Sequence, residues 1–441
     1  MSAAAAPLLP DYSGALEPDF RFERLEHGAL ARLGRELMLF AHFHDRGLMP
    51  LLGARFGRGV MTELAVDEWM GASPVYGRRL REGLGIAGDG VSAILKTLQL
   101  DVGFAHRYMD VRYELVDETA GWFWLPFCGA YQDVNAIFRG AEAELVRLCH
   151  HMEDPTFDAT AMAVNPRARV RPEHRPPLAR THTGPTCRWR VYLEPGAEGG
   201  LAPLAVRDEV EASRAAAFRF AALPRELGPG LADYSGAFVP RLELETFAHP
   251  VLARLCREFT LDVHLLQRSA FAAIRARWGA AAARELAREQ WAAVAPVYTK
   301  RIRAALGIAG DDMSAILKTL QADPGFPHEY ARTGVALGDA LHGAFWIEEC
   351  EAFAEGEPDA WLALLDDAGS PGFDAVIAAV NPRARCTPLD TGSVHAPGRK
   401  PIRAWRIEID PAAEPRADAP MAAAVRVSNV SRFDLLPRAK D

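Results

Sequence analysis

Cysteine is scarce in this 441-residue chain, with six in all. That is too few for a disulfide scaffold and suits reduced thiols. Aromatic residues make up only 9%, and lysine is rarer still, with five against 45 arginines. No run of 18 or more apolar residues occurs, so no membrane-spanning helix is expected. Net charge is −8, which leaves no basic excess to attract nucleic acid or an anionic membrane surface. The opening Met1-Ser-Ala-Ala-Ala-Ala-Pro7 lacks the basic and apolar stretches of a secretory signal, and a cytoplasmic protein is expected. Also missing are Gly-x-Gly-x-x-Gly, a phosphate loop, a Gly-x-Ser-x-Gly elbow, Cys-x-x-Cys and His-Glu-x-x-His. Their absence argues against nucleotide-dependent and serine-hydrolase mechanisms and weakens any zinc reading.

What is present is a tandem duplication. Asp11-Tyr-Ser-Gly-Ala15 recurs as Asp233-Tyr-Ser-Gly-Ala237, an offset of 222 residues. The offset holds through His27/His249, His42/His264, Trp69/Trp291, Pro74/Pro296 and Cys128/Cys350. Between Ile86–Tyr108 and Ile308–Tyr330, 17 of 23 positions are identical. After a six-residue deletion, Asn165-Pro-Arg-Ala-Arg169 matches Asn381-Pro-Arg-Ala-Arg385 and Trp189 matches Trp405. Even Leu223-Pro-Arg225 rhymes with Leu436-Pro-Arg438. Two domains are therefore expected, 11–225 and 233–438, joined by a Gly- and Pro-bearing linker at 226–232.

Helical spacing over Gly28–Arg55 and Val60–Leu84 predicts two helices in the first copy. A short helix after Asp89, its expected N-cap, follows. Alternation over Tyr108–Val116, the turn at Asp117–Gly121 and the run Trp122–Leu125 predict a hairpin. A helix over Ala130–His151, a short one near Asp158–Val164 and strands at Ala168–Arg171 and Cys187–Leu193 complete the unit. The fold class is α+β: two homologous domains, each a mainly helical half followed by a small antiparallel sheet with covering helices. Duplicates of this kind are expected to pack as an intramolecular pseudo-dimer, which makes the chain a monomer or a dimer of such units.

The copies also differ in useful ways. Ser92-Ala-Ile-Leu-Lys-Thr-Leu-Gln99 is identical to Ser314–Gln321. Ser92, Lys96 and Gln99 form a polar stripe that can hold a substrate carboxylate, lie as a solvated face, or let the lysine pair with a carboxylate between copies. Cys128, Cys149, His150, His182 and Cys187 concentrate in the first copy, since the places of 149–151 are taken by Leu365-Asp-Asp367 and that of Cys187 by Arg403. A thiolate beside an imidazole can act as a nucleophile, and a Cys/His cluster can bind zinc or iron, although no cofactor is required by the sequence. Buried cysteines acting as small hydrophobes are the plainer alternative. His42-Phe-His44-Asp45 also carries metal-binding groups, but residues two apart on a helix do not share a face. Trp69 and Trp124, repeated as Trp291 and Trp346, are candidates to line a pocket or to fill a core.

The order of features in the first copy resembles the L-2-amino-thiazoline-4-carboxylic acid hydrolase-like family and, more distantly, 4-vinyl-reductase-type small-molecule-binding domains. The features are Phe127-Cys128 after an aromatic strand, Leu148-Cys149-His150 on the next helix, an Asn-Pro segment, and Gly184-Pro-Thr-Cys187-Arg-Trp-Arg. The resemblance implies a hydrolase that opens a C–N or C–S bond of a small nitrogen heterocycle, with Cys128, Cys149 and Cys187 as matched positions. On this reading Cys128 or Cys149 is nucleophile, His150 or His182 the base, and Ser92, Lys96, Gln99, Trp69, Trp124 and Cys187 contact substrate. The alternatives are a non-catalytic small-molecule binder or sensor with a pocket in each copy, and a metal-dependent enzyme built on Cys149, His150, His182 and Cys187.

Overall fold

The computed structural model describes residues 7–179, 181–197, 199–356, 365, 372–394 and 400–427. Leu436–Arg438, Asp366 and Asp367 lie outside the described residues. The first repeat opens with α1 (His27–Phe56) and α2 (Arg58–Gly83). Between them stands Gly57 at φ 89°, ψ 160°, a conformation that residues with a Cβ avoid. In the second repeat α1 and α2 correspond to one long element, α9 (His249–Leu306), broken in the same way at Gly279 with φ 85°, ψ 167°. The residues before the two glycines, Phe56 and Trp278, stack on each other with ring centroids 3.9 Å apart.

After α2 come α3 (Val91–Leu98), β1 (Met109–Asp117) and β2 (Ala120–Cys128). The expected helix over 130–151 is divided. α4 (Gly129–Ile137) ends where Arg139 and Gly140 take positive φ, and α5 (Glu142–Val146) runs through a wide π-helical turn, Arg147–Met152, into α6 (Glu153–Met162). Pro155 sits just inside α6 and has no N–H to return to His151, a position where a regular ladder fails. β3 (Ala168–His174), β4 (Cys187–Leu193), α7 (Ala205–Glu211) and α8 (Arg214–Ala217) complete the repeat. Asp89 is not the cap of α3: the cap position is Gly90, and Asp89 accepts from the Asn165 amide through its backbone oxygen at 2.9 Å.

The second repeat has α10 (Met313–Gln321), β5 (Thr333–Leu337), β6 (His342–Glu348), α11 (Asp374–Val380), β7 (Ala384–Pro388), β8 (Pro401–Ile409) and α12 (Pro420–Val427). The two antiparallel sheets have orders β1-β2-β4-β3 and β5-β6-β8-β7. Phe123 pairs with Trp189 across β2–β4, and Phe345 with Trp405 across β6–β8. These inward rings meet Phe157 and Phe373 edge-on at 4.9 Å from the respective indoles, so each sheet carries the same aromatic core. Trp122 and Trp124 point to the opposite face, where the Arg188 guanidinium lies 4.4 Å from the Trp122 ring.

Each repeat holds the N-terminal arm of the other. The Tyr12 N–H donates to Leu306 O at 2.6 Å and the Tyr234 N–H to Leu84 O at 2.7 Å. His27 Nε2 lies 2.8 Å from Phe247 O, and His249 Nε2 lies 2.7 Å from Leu25 O. Among the described residues, no helix is long and apolar enough to cross a membrane.

Candidate functional site

A cavity of about 730 Å³ opens inside the first repeat, between α1, α2, the inner face of the sheet and the α4–α6 segment. Its walls are largely apolar: Met49, Met61, Leu98, Phe104, Met109, Leu125, Val134, Phe138 and Phe157. Such a lining with a few polar groups is the ordinary form of a small-molecule pocket. Trp69 is half-buried against this space. Its counterpart Trp291 is fully buried, with its ring within 2.3 Å of where a Cβ on Gly372 would stand. Met49 likewise corresponds to the bulkier Phe271.

The polar groups on the wall form two sets. On the α1 side Arg46 ion-pairs with Asp133, its guanidinium donates to the Tyr108 hydroxyl at 2.7 Å, and that hydroxyl donates to Asp133 at 3.0 Å. The second repeat repeats this arrangement as Arg268, Tyr330 and Glu355, where the Arg268–Glu355 pair spans 2.8 Å. His42 sits beside Arg46, and its Nε2 lies 3.1 Å from Gly103 O. Burial, reinforced by the Arg46 charge, depresses the His42 imidazole to about 3, so it is neutral at physiological pH. Asp101 is pushed up to about 6 by burial while accepting from Tyr76 at 2.8 Å.

The opposite set gathers Cys128 at the end of β2, Cys187 at the start of β4 and Glu153 at the start of α6, all on the cavity wall. Cys149, in the π-helical turn, is buried behind them, and the three thiols and Glu153 lie close enough to perturb one another's ionisation. The cysteines separated by 21 and 38 residues thus converge. Burial, with Glu153 nearby, pushes the Cys128 thiol up to about 12, and Cys149 and Cys187 are raised further for the same reasons. Cys128 Sγ accepts from the Tyr131 N–H at 3.3 Å. Glu153 is raised to about 8, chiefly by burial and against the pull of Arg175, and its Oε2 has no hydrogen-bond partner.

The other sequence-selected residues lie elsewhere. His150 Nε2 is 2.8 Å from Pro176 O, and exposed His182 lies 2.8 Å from Pro185 O through Nε2. Neither histidine is on the cavity wall. Lys96 donates to Tyr234 O at 3.0 Å and to Gly236 O at 2.5 Å, and Gln99 donates to Val239 O at 2.7 Å, all in the other repeat's arm. Ser92 is half-buried on α3 away from the cavity, and Trp124 faces Arg188 across the outer side of the sheet.

One group is seen only in part in the sequence, where His44 and Asp45 are set aside and Glu68 is missed. Among the described residues, the set of histidine, cysteine and carboxylate side chains whose donor atoms all fall within 4.8 Å of one another is His44, Asp45 and Glu68. His44 and Asp45 come from α1 and Glu68 from α2, and Asp45 is also on the cavity wall. His44 Nε2 lies 3.0 Å from Glu68 Oε1, and Trp69 Nε1 donates to Asp45 Oδ2 at 3.2 Å. Burial raises both carboxyls well above their ordinary range and lowers the imidazole to about 4. His42 and His44 indeed do not share a face, since His42 turns to Gly103. The second repeat has Leu266, Gln267 and Gln290 at these three places. The exchange of both carboxylates for glutamine was the one signal that could have marked the group in the sequence.

No known family, curated protein or solved structure matches this chain.

Proposed function

We propose that the first repeat binds a small, mainly apolar molecule bearing an N–H or ammonium donor, such as a nitrogen heterocycle, and that the second repeat is its structural partner. The observation that carries this reading is the apolar cavity of about 730 Å³ with the Glu153 carboxyl on its wall, its Oε2 lacking a donor. A buried acceptor left unpaired is costly, and a ligand N–H relieves that cost. The resemblance of the Cys128, Cys149 and Cys187 framework to heterocycle hydrolases supports the same ligand class. Facing contacts between equivalent residues, Phe56 with Trp278 and His27 near His249, support an intramolecular pseudo-dimer. Six unpaired thiols support a cytoplasmic setting.

Titration of Trp69 fluorescence with benzimidazole and with indene, its carbocyclic counterpart, tests the reading. The heterocycle is expected to bind about tenfold more tightly, a preference that one good hydrogen bond supplies. Glu153→Gln should shrink it. Equal affinities, or no saturable binding of either, overturn the proposal.

A second reading is hydrolytic opening of the bound ring, favoured by Glu153. A carboxyl near neutrality suits proton transfer to and from water better than the deeply protonated thiols do. Incubation with L-2-amino-thiazoline-4-carboxylate, followed by mass spectrometry for the water-added product, decides it. Formation that survives Cys128→Ala and is lost in Glu153→Gln supports the carboxyl as base, and absence of product leaves binding alone.

A further inference from the structure

We propose that His44, Asp45 and Glu68 form a mononuclear site for a divalent first-row transition ion on the inner wall of the first-repeat cavity. The site is built from protein groups alone, so it stands whether or not an organic ligand enters the pocket.

The geometry is that of a coordination set. The donor atoms all lie within 4.8 Å of one another, and His44 Nε2 is 3.0 Å from Glu68 Oε1. Ligands at about 2.0–2.2 Å from one ion sit at comparable separations. One imidazole and two carboxylates suit manganese, iron or zinc rather than a soft, thiolate-seeking ion. Two carboxylates also neutralise a divalent charge.

Burial gives the independent observation. Glu68 is 0% exposed, and only the His44 imidazole, 3.0 Å from Oε1, and the Asp45 carboxyl stand against it, with no other donor reaching its oxygens or Asp45 Oδ1. Among the described residues, no lysine or arginine ion-pairs with Asp45 or Glu68, and the imidazole is the nearest basic group. Two acids in this position must either share a proton or hold a cation, because an uncompensated buried charge is prohibitively costly.

The surroundings orient the set. Trp69 ties down Asp45 Oδ2 and leaves Oδ1 free. The Gln290 amide, from the second repeat, lies 2.8 Å from His44 Nδ1. There the amide nitrogen faces Nδ1 and also reaches His44 O at 3.4 Å; an ion on Nε2 requires the amide to turn end for end, so that its oxygen accepts Nδ1–H, the usual outer support of a ligating histidine. Asp45 belongs to both the set and the cavity wall, so the ion would stand at the pocket's edge as a Lewis acid.

The test is titration of the chelator-stripped full-length chain with cobalt(II) alone, read by visible absorption and by metal analysis after gel filtration. The expected result is one cobalt per chain with weak ligand-field bands and no thiolate charge-transfer band. Glu68→Gln and Asp45→Gln, each installing the second repeat's own residue, should weaken binding by more than about 100-fold, beyond what loss of an outer partner gives. Both variants should keep the native circular dichroism, and Cys128→Ala should bind like the parent chain. Substoichiometric cobalt in the parent chain, unchanged affinity in both variants, or an intense sulfur-to-cobalt band overturns the proposal. Should both variants fail to fold, the parent's stoichiometry and spectrum decide the matter alone.

Discussion

The Tyr234 hydroxyl donates to the side-chain oxygen of Gln99 at 2.7 Å, and the Tyr12 hydroxyl donates to that of Gln321 at 2.8 Å. Each glutamine then donates onward to the arm that carries its tyrosine, Gln99 to Val239 O at 2.7 Å and Gln321 to Glu17 O at 2.8 Å. Lys96 and Lys318 cap the carbonyls of Gly236 and Gly14 in the same arms. The repeated Ser-Ala-Ile-Leu-Lys-Thr-Leu-Gln stretch is therefore a clasp: its apolar stripe faces its own core and its polar stripe closes on the other repeat. A compact ammonium suits this role, since three donors on one nitrogen reach successive carbonyls without the planar fork of arginine.

Removing one hydroxyl from the clasp should be felt as an orphaned acceptor. Tyr234→Phe and Tyr12→Phe are each expected to lower stability by about 1–3 kcal/mol, the cost of leaving a buried acceptor unpaired. Urea unfolding followed by circular dichroism measures the loss. The two substitutions should cost similar amounts, and a negligible effect of both would show that the arms are not held through these bonds.

The two glycine joints make a second matched pair. A Cβ on Gly57 or Gly279 would meet nothing within 4 Å, so the penalty for alanine comes from backbone conformation alone. Gly57→Ala and Gly279→Ala should each destabilise by about 1–3 kcal/mol, the usual cost of holding an L residue in such a region. Equilibrium unfolding of both variants checks this, and a stabilising effect at either site would mean the joint straightens without loss.

Much of the scaffold was legible because local pattern and structure agree. The repeat recurs in the matching joints, sheets and aromatic cores, at an offset of 222 residues before the six-residue deletion and 216 after it, and alternation located β1, whose one face is buried, while an aromatic run located β2. Contacts made between distant segments were not legible. Nothing near Lys96 in the chain points to Tyr234, 138 residues away. The adjacent His44 and Asp45 gained meaning only when α2 brought Glu68 to them. The convergence of Cys128, Cys149 and Cys187 depended on the break at Gly140 and the π-helical turn, neither of which a helical reading of 130–151 contains. Glu153 stands just past the helix expected over 130–151, and its chemistry comes from the cavity beside it.

Thiol reactivity should follow burial. Cys128, Cys149 and Cys187 are buried and strongly protonated, whereas Cys350 is half-exposed with a smaller upward displacement. Only thiolate reacts with iodoacetamide. In mass-resolved alkylation of the native protein at neutral pH, Cys350 is expected to label first, and the three first-repeat cysteines only on unfolding. Fast labelling of Cys128 would restore the thiolate-nucleophile reading.

The titration of Glu153 supplies a test that needs no ligand. Its carboxyl moves from an ordinary 4.5 to about 8 in the folded protein, mainly through burial. Between those values the native state keeps a proton that the unfolded chain has released, so this residue makes stability fall as pH rises through the window. Other groups titrate nearby: Asp101 and Asp323, raised to about 6 and 7, act in the same direction, and the depressed His42, His44 and His328 act in the opposite one. The informative quantity is therefore the difference between the parent chain and Glu153→Gln, which cannot titrate there. Relative to the parent, the variant should gain stability steadily from pH 4.5 to about 8 and hold a constant difference above that. Urea unfolding at closely spaced pH values measures it. Parallel curves across the window would mean that Glu153 ionises like a solvated carboxyl, and the cavity wall would then lose its near-neutral acid.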